Sequence, residues 1–182
     1  SSDVCSSDLN MNLDLTGKTA VVCGATQGIG LAAATELATM GARIILFARN
    51  KEALIQAASA LPSPANQKHG YLVADFQHPQ QVEEAVRAFT QTDSAQILVN
   101  NTGGPAPGPA IEADVDAFRL AFNHHLICNQ IIAQLLVPQM KAAGYGRIIN
   151  VISTSVKQPL PNLGVSNTIR GAVRSEEHTS EL

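Results

Sequence analysis

The stretch Cys23-Gly24-Ala25-Thr26-Gln27-Gly28-Ile29-Gly30 decides the fold of this chain. It follows the apolar run 20–23 and opens into the alanine-rich run 31–38, an order that predicts a strand, a glycine-rich turn and a helix. Glycines let a backbone turn sharply, and the free N–H groups at a helix N-terminus carry a partial positive charge. Such a turn can hold a pyrophosphate group; the alternative interpretation is a tight turn that binds nothing.

Length and composition limit the classes of protein to consider. The chain has 182 residues, a net charge of −3 and 45% hydrophobic residues, which predicts one globular domain with a substantial core. It contains no apolar run that could cross a membrane and no secretory signal pattern, and its three cysteines do not form a disulfide or zinc pattern. We therefore expect a cytoplasmic protein with neither a membrane nor, given its low basic content, a nucleic acid as a partner.

Both ends of the chain are unlike the remainder. The DNA string AGATCGGAAGAGCACACGTCTGAACTC encodes residues 174–182, and its reverse complement encodes residues 1–8 and begins the codon of Leu9. This string resembles a common sequencing-library adapter. We therefore expect residues 1–10 and 174–182 to be non-native, Met11 to be the original start, and residues 11–173 to form one domain that is truncated at its C-terminus.

Between these ends, strand-like and helix-like runs alternate. Apolar runs predict strands at 19–23, 43–48, 70–74, 96–100 and 147–152. Helices are predicted at 28–40, 51–60, 80–90, at 114–120 with a bent continuation through 126–143, and at 166–173, with loops at 102–109 and 153–165. This alternation predicts an α/β fold, a doubly wound, Rossmann-like parallel sheet that is incomplete at the C-terminus.

Three segments resemble the short-chain dehydrogenase/reductase family. The glycine-rich turn is similar to its T-G-x-x-x-G-I-G loop, with Cys23 in the place of threonine, and Asn100-Asn101-Thr102-Gly103 is similar to its N-N-A-G motif. The run Gly146-Arg147-Ile148-Ile149-Asn150-Val151-Ile152-Ser153 is similar to its G-R-I-V-N-I-S-S strand. The resemblance implies a dinucleotide-binding site that includes Gly24, Thr26, Gln27, Gly28, Ile29, Gly30, Asp75, Asn101 and Gly103.

Arg49 indicates which dinucleotide is preferred. It lies just past the second predicted strand, where a carboxylate would bind the ribose 2′-hydroxyl of NAD(H) and a cation would bind the 2′-phosphate of NADP(H). Ala48 stands where members of the family that prefer NAD have aspartate. The sequence therefore favours NADP(H) over NAD(H), with a solvated arginine at a strand end as the alternative.

The catalytic positions depart from the family pattern. The resemblance implies that Ser153 polarises a substrate carbonyl, but the family's Y-x-x-x-K pair reads Ser166-Asn-Thr-Ile-Arg170 here. The asparagine that carries a proton relay in the family is replaced by His125. A serine hydroxyl is a weaker acid than a tyrosine hydroxyl. We expect Arg170 to take the lysine's place in the catalytic site, where it can bind a ribose or a phosphate but does not deprotonate.

The tyrosines do not fill this gap, because Tyr145 precedes the last predicted strand, at the edge away from the cofactor, and Tyr71 lies in the third. His125 is the one group nearby that we expect to titrate near neutral pH, and we therefore hypothesise that it supplies the proton together with Ser153 and Ser166. A helical histidine that merely bonds polar neighbours is an equally good interpretation. His124 is expected at the surface.

Two functions remain open. The first is a fragment of an NADP(H)-dependent oxidoreductase, similar to 3-oxoacyl reductases, that interconverts a carbonyl and an alcohol on a small molecule. The second is a dinucleotide-binding sensor or scaffold without hydride transfer, an interpretation prompted by Ser166 and Arg170. The family resemblance implies a homo-oligomeric parent protein, and we expect the truncated chain to be poorly stable and inactive.

Overall fold

The computed structural model describes residues 12–175 of the chain. The strands are β1 (Thr19–Cys23), β2 (Arg43–Ala48), β3 (Gly70–Val73), β4 (Ile97–Asn100) and β5 (Arg147–Asn150). The helices are α1 (Gly28–Thr39), α2 (Lys51–Ala60), α3 (Pro79–Thr92), α4 (Val115–Phe122), α5 (Cys128–Ala142) and α6 (Gly164–Ser175). Short 3₁₀ turns cover Ala110–Glu112 and Thr154–Val156, and a π-helical turn covers Asn123–Ile127.

The five strands form one parallel sheet in the order β3-β2-β1-β4-β5. The central residue of β1, Val21, pairs with Ile45 of β2 on one side and with Leu98 of β4 on the other. The strand order reverses between β1 and β4, and in open α/β sheets the crevice at the carboxyl ends of such a pair is where ligands bind. The predicted doubly wound, Rossmann-like sheet is confirmed.

Helices cover both faces of the sheet, which explains why the strands are apolar along their whole length. Because side chains alternate across a strand, Val21 and Cys23 face α3 and α5, whereas Ala20 and Val22 face α1 and α2. The first face packs against Val82, Val86, Phe89, Ile132, Leu136 and Met140, and the second against Ala34, Ala38 and Leu54. These two cores fix the carboxyl ends of the strands relative to one another.

The helical region after β4 continues from residue 115 to residue 142, as predicted, and residues 121–125, which lie between the two predicted helical stretches, are helical as well. The π-helical turn joins α4 to α5 directly, and the Cys128 N–H donates to the Asn123 carbonyl five residues earlier. Asparagine and histidine are weak helix formers, so the run Asn123-His124-His125 carries little helical signal in the sequence. Packing against neighbouring elements decides the conformation there.

Helix α6 also differs in its bounds. It begins at Gly164, two residues before the predicted start, and it continues through Arg174 and Ser175. Those last two residues belong to the segment predicted to be non-native; the other residues of the predicted foreign ends, 1–10 and 176–182, lie outside the described residues. The origin of both ends stays a prediction.

Candidate functional site

The glycine-rich turn lies at the carboxyl edge of the sheet, between β1 and α1. Gly24 and Gly28 have φ angles of +58° and +57°, in the left-handed region that glycine adopts without strain. The Gly24 N–H donates to the Phe47 carbonyl at 2.8 Å and so anchors the turn to β2. Helix α1 starts without a side-chain cap or an acidic residue in its first turn, which leaves its N–H groups available for an anion.

Asn101 holds this turn against the end of β4. Its Nδ2 atom donates to the carbonyl oxygens of Cys23 and Gly24, each at 3.4 Å. A Cβ atom at Gly24 would overlap the Asn101 carbonyl oxygen, and one at Gly30 would overlap the Gly24 carbonyl oxygen. Glycine at both positions therefore allows a close approach of helix, turn and strand, and the resulting cradle fits the pyrophosphate of a dinucleotide.

Charged groups flank the ends of β2 and β3. Arg49 follows β2 and is exposed, and no ion pair in residues 12–175 involves it. Its neighbour Asn50 caps α2 by accepting from the Ala53 N–H at 2.9 Å, so that Arg49 is held at the start of a rigid element. Asp75 follows β3 and accepts from the Gln77 N–H at 3.0 Å.

His124 lies closer to these groups than the sequence indicated. His124 is half-buried and its Nε2 atom is fully buried, so the side chain lies only partly at the surface where it was expected. Burial lowers the pKa of His124, the positive charge of Arg49 lowers it further, and the Asp75 carboxylate opposes the change. The π-helical turn brings His124 and His125 together, with their ring centroids 6.1 Å apart.

His125 lies at the centre of a network beside the ends of β4 and β5. It is 2% exposed, and its Nδ1 atom lies 2.7 Å from the Thr102 hydroxyl. Within residues 12–175 its Nε2 atom has no hydrogen-bond partner. The Arg170 guanidinium donates to the carbonyl oxygens of Val151 at 2.8 Å and Thr102 at 3.4 Å, and so ties α6 to both strand ends.

The protonation state of His125 differs from the sequence expectation. Burial, above all, lowers the pKa of His125 to about 3; the positive charge of Arg170 and the neighbouring His124 lower it further, against the opposing effect of the Gly103 backbone. The imidazole is therefore neutral at physiological pH. A histidine that titrates near neutral pH was expected here, and its removal from solvent is the physical reason for the difference.

The two candidate serines occupy different elements. Ser153 follows β5 and is half-buried, and its hydroxyl accepts from the Ser155 N–H at 3.1 Å, which caps the 3₁₀ turn. Ser166 is half-buried in the first turn of α6, four residues before Arg170. Four residues separate neighbours on one face of a helix, so Ser166 and Arg170 share the face that meets the strand ends.

The tyrosines lie away from this network. Tyr145 precedes β5 at the amino edge of the sheet, where Lys18 and Arg147 stack on its ring at 4.6 and 4.7 Å from the centroid. Tyr71 lies in β3, the outermost strand on one side of the sheet. Because the glycine-rich turn is at the opposite edge from Tyr145, the expectation that this tyrosine cannot reach the site is confirmed.

Thr102 and Val151 contribute to the network through groups that the sequence did not single out. The Val151 group is a backbone carbonyl, which any residue would supply, so its role carries no sequence signal. Thr102 stands where the similar motif has alanine, and a hydroxyl in that position beside a buried histidine is the signal that could have identified it. Among residues 12–175 no group of His, Cys, Asp or Glu side chains could hold a metal ion.

A parallel sheet with a glycine-rich turn at its switch point defines a Rossmann-like nucleotide-binding fold. The sequence profile described as "short chain dehydrogenase" matches residues 18–175, and the chain belongs to this family. The resemblance drawn from the glycine-rich turn and the two strand motifs is thereby confirmed. The family membership covers both the cradle and the network around His125.

Curated relatives include proteins with different described activities. The chain is 33% identical over 149 residues to "Inactive hydroxysteroid dehydrogenase-like protein 1" from Pongo abelii, an alignment that covers 81% of this chain and 45% of that protein. It is 30% identical over 162 residues to 2,3-dihydroxy-2,3-dihydro-p-cumate dehydrogenase from Pseudomonas putida, covering 88% and 62%. The chain thus spans about half to two thirds of the length of these relatives.

Solved structures of similar proteins include complexes with NADP(H). L-sorbose reductase from Gluconobacter frateurii, complexed with NADPH and L-sorbose, is 32% identical with a TM-score of 0.83, and the match covers 90% of this chain and 62% of that one. A gluconate 5-dehydrogenase from Burkholderia cenocepacia, in complex with NADP and tartrate, is 29% identical with a TM-score of 0.81, covering 90% and 64%.

Within residues 12–175 no helix has the length and apolar character needed to cross a membrane.

Proposed function

We propose that the chain is part of an NADP(H)-dependent oxidoreductase that interconverts a carbonyl and an alcohol on a small molecule, similar to 3-oxoacyl reductases. The observation that carries the proposal is the cradle between α1, β1 and β4, where Gly24 and Gly30 leave room that a side chain would fill. We propose further that residues 11–173 come from a longer, cytoplasmic, homo-oligomeric parent protein, which performs the reaction.

The choice of cofactor follows from the end of β2. Arg49 is an exposed cation there, and residues 48–50 contain no carboxylate that would favour the ribose 2′-hydroxyl of NAD(H). In this proposal Arg49 binds the 2′-phosphate and Asp75 lies beside the adenine. The phosphates meet the turn formed by Thr26, Gln27, Gly28 and Ile29, while Asn101 and Gly103 border the site on the β4 side. The complexes of two relatives with NADPH and NADP agree with this preference.

The reduced nicotinamide would supply a hydride to the substrate carbon. We propose that the Ser153 hydroxyl orients the substrate oxygen, and that His125 and Ser166 supply the proton that this oxygen takes up when the carbonyl is reduced. Because the His125 imidazole is neutral, it would pass a proton through its hydrogen bonds, with Thr102 at Nδ1, and would not store a charge between turnovers.

A second candidate function is dinucleotide binding without hydride transfer. Ser166 and Arg170 favour it, because they replace the tyrosine and lysine of the family pattern and Arg170 is already bound to two backbone carbonyls. The relative from Pongo abelii whose name calls it inactive also agrees with this candidate. In that case the protein would act as a sensor or scaffold.

One experiment separates the two candidates. NADPH oxidation by the parent protein is measured against a panel of ketones and 3-oxoacyl thioesters, with NADPH binding measured in parallel. Turnover that falls at least tenfold in a His125→Ala variant, with NADPH affinity retained, supports the oxidoreductase and the role of His125. Tight NADPH binding with no turnover on any substrate supports the sensor or scaffold, and absence of binding contradicts both.

A further inference from the structure

Arg170 occupies the position of the lysine in the family's Y-x-x-x-K pair, but its guanidinium is already hydrogen-bonded to the protein's own backbone. Its Nη1 atom donates to the Val151 carbonyl at 2.8 Å, and its Nη2 atom donates to the Thr102 carbonyl at 3.4 Å. Val151 follows β5 and Thr102 follows β4, so one guanidinium joins α6 to two adjacent strand ends. A planar fork of donors suits two acceptors that are held at a fixed spacing.

The same network continues to His125. Thr102, whose carbonyl accepts from Arg170, places its hydroxyl 2.7 Å from the Nδ1 atom of His125. The other ring nitrogen, Nε2, is buried and has no partner within residues 12–175. A buried polar atom without a partner is costly, and it marks the point where a ligand group or an ordered water would complete the network.

From this arrangement we infer that Arg170 is a positioning residue: it fixes Thr102 and thereby the ring of His125, and it does not bind the dinucleotide. The inference rests on the proposed function, because it assigns Arg170 a role within the same site. It replaces the expectation that Arg170 acts as a catalytic or ribose-binding residue. The ring of His125, held through Nδ1, then keeps Nε2 as a buried polar atom of the site that has no partner within residues 12–175.

The surroundings of His125 make its titration a direct readout of this role. The groups that act on it are Arg170 from α6, His124 from its own turn, and Thr102 and Gly103 from the loop after β4. Burial and the Arg170 charge both disfavour the imidazolium form. Removal of Arg170 takes away a positive charge that disfavours the imidazolium form of His125. It also removes the hydrogen bond that holds Thr102, so the His125 ring becomes more mobile.

The first measurement follows the ring protons of His125 by NMR between pH 8 and pH 4. In the wild-type chain they should not titrate above pH 5. In Arg170→Met the His125 ring should be about half protonated at pH 4, as a rise of one pH unit from a pKa of about 3 requires, whereas Arg170→Lys, which keeps the charge, should show a smaller change. Arg174→Met is the matched control, because Arg174 lies one turn later and donates to Val156 at 3.0 Å. An unchanged His125 titration in Arg170→Met overturns the inference.

The second measurement compares the dissociation constants of NADPH and adenosine 2′,5′-bisphosphate, which lacks the nicotinamide ribose. Arg170→Met should change both constants by the same factor, within twofold. A loss of tenfold or more for NADPH alone would identify Arg170 as a ribose ligand and overturn the inference. Absence of NADPH binding in the wild type contradicts the proposed function, while the His125 titration still decides the role of Arg170.

If Arg170→Met fails to fold, as circular dichroism would reveal, the wild type carries the test. The guanidinium signals of Arg170 should stay unchanged when NADPH saturates the chain, since the fork keeps its carbonyl partners. A shift of those signals on NADPH addition overturns the inference. Arg170→Lys then supplies the titration comparison.

Discussion

At Gly24 the backbone conformation and the available space both exclude a side chain. Its φ angle is +58°, and an added Cβ would overlap the Asn101 carbonyl oxygen. We predict that Gly24→Ala lowers the free energy of unfolding by about 2 kcal/mol or more and abolishes NADPH binding. Urea unfolding and nucleotide titration measure both effects.

The control for this change is Gly171→Ala. Gly171 lies inside α6, and an added Cβ would meet nothing within 4 Å. Alanine in a helix interior is expected to raise the free energy of unfolding by about 0.5–1 kcal/mol. If Gly24→Ala were as stable as the wild type and still bound NADPH, the cradle would not be built as described.

Arg49 allows a test of cofactor preference at a single side chain. We predict that Arg49→Asp weakens NADPH binding by at least about tenfold, because it replaces a cation by an anion where the 2′-phosphate is proposed to bind. NADH binding should be unchanged or stronger. Isothermal titration with both nucleotides measures this, with Lys51→Gln as the control for a loss of charge in the next helix. An equal effect on both nucleotides would remove Arg49 from the 2′-phosphate site.

The glycine-rich turn was predictable from the sequence because its conformation depends on residue type. Gly24, Gly28 and Gly30 stand there since the turn needs left-handed conformations and close packing, and both requirements are visible as residue types. The hydrogen bonds of Arg170 were not predictable in this way. Its partners are carbonyl groups of Val151 and Thr102, which only the fold brings together.

At the scale of elements, the π-helical turn between α4 and α5 makes the free energy of unfolding depend on pH, because it contains the buried His125. The pKa of His125 is about 3 in the folded chain, against 6.5 for an unperturbed histidine. Below about pH 6.5 the unfolded chain binds a proton at His125 that the folded chain excludes. The contribution of the neutral His125 to the free energy of unfolding is therefore present at neutral pH and is lost as the pH falls below about 6.5. His124, whose pKa is also lowered, acts in the same direction.

We predict that lowering the pH from 7 to 5 destabilises the wild type by about 2 kcal/mol more than it destabilises His125→Asn. Asparagine keeps a polar group toward Thr102 but does not titrate. Urea unfolding at the two pH values gives the comparison. Equal pH dependence in the two proteins would mean that His125 is accessible to protons in the folded state.

Element boundaries were predictable where the hydrophobic pattern was strong and not where packing decided. The bounds of β1, β2 and α2 match the prediction, because apolar runs or helical periods there end at glycine, proline or a capping residue. The turn Asn123–Ile127 carried no comparable pattern. His125 is buried there, beside Thr102 of the loop after β4 and near Arg170 of α6, which are far from it in the chain.

At the scale of the whole molecule, the second half of the chain leaves large apolar side chains exposed. Ile111 is 93% exposed and Val115 is 61% exposed, and Phe122, Ile149 and Ile152 are each exposed by 40% or more. Such surfaces are costly unless they are covered. We predict that the 182-residue chain binds the dye ANS strongly and unfolds at low urea concentration. A cooperative transition with a free energy above about 5 kcal/mol and no dye binding would contradict this.

In the proposed function, the cradle at the carboxyl ends of β1 and β4 binds a dinucleotide, and Arg49 selects the 2′-phosphate. The most direct test is isothermal titration of the parent protein with NADPH and with NADH. We predict one site per chain and a dissociation constant for NADPH at least about tenfold lower than for NADH. No binding of either nucleotide would mean that the turn from Gly24 to Gly30 is only a structural connection between β1 and α1.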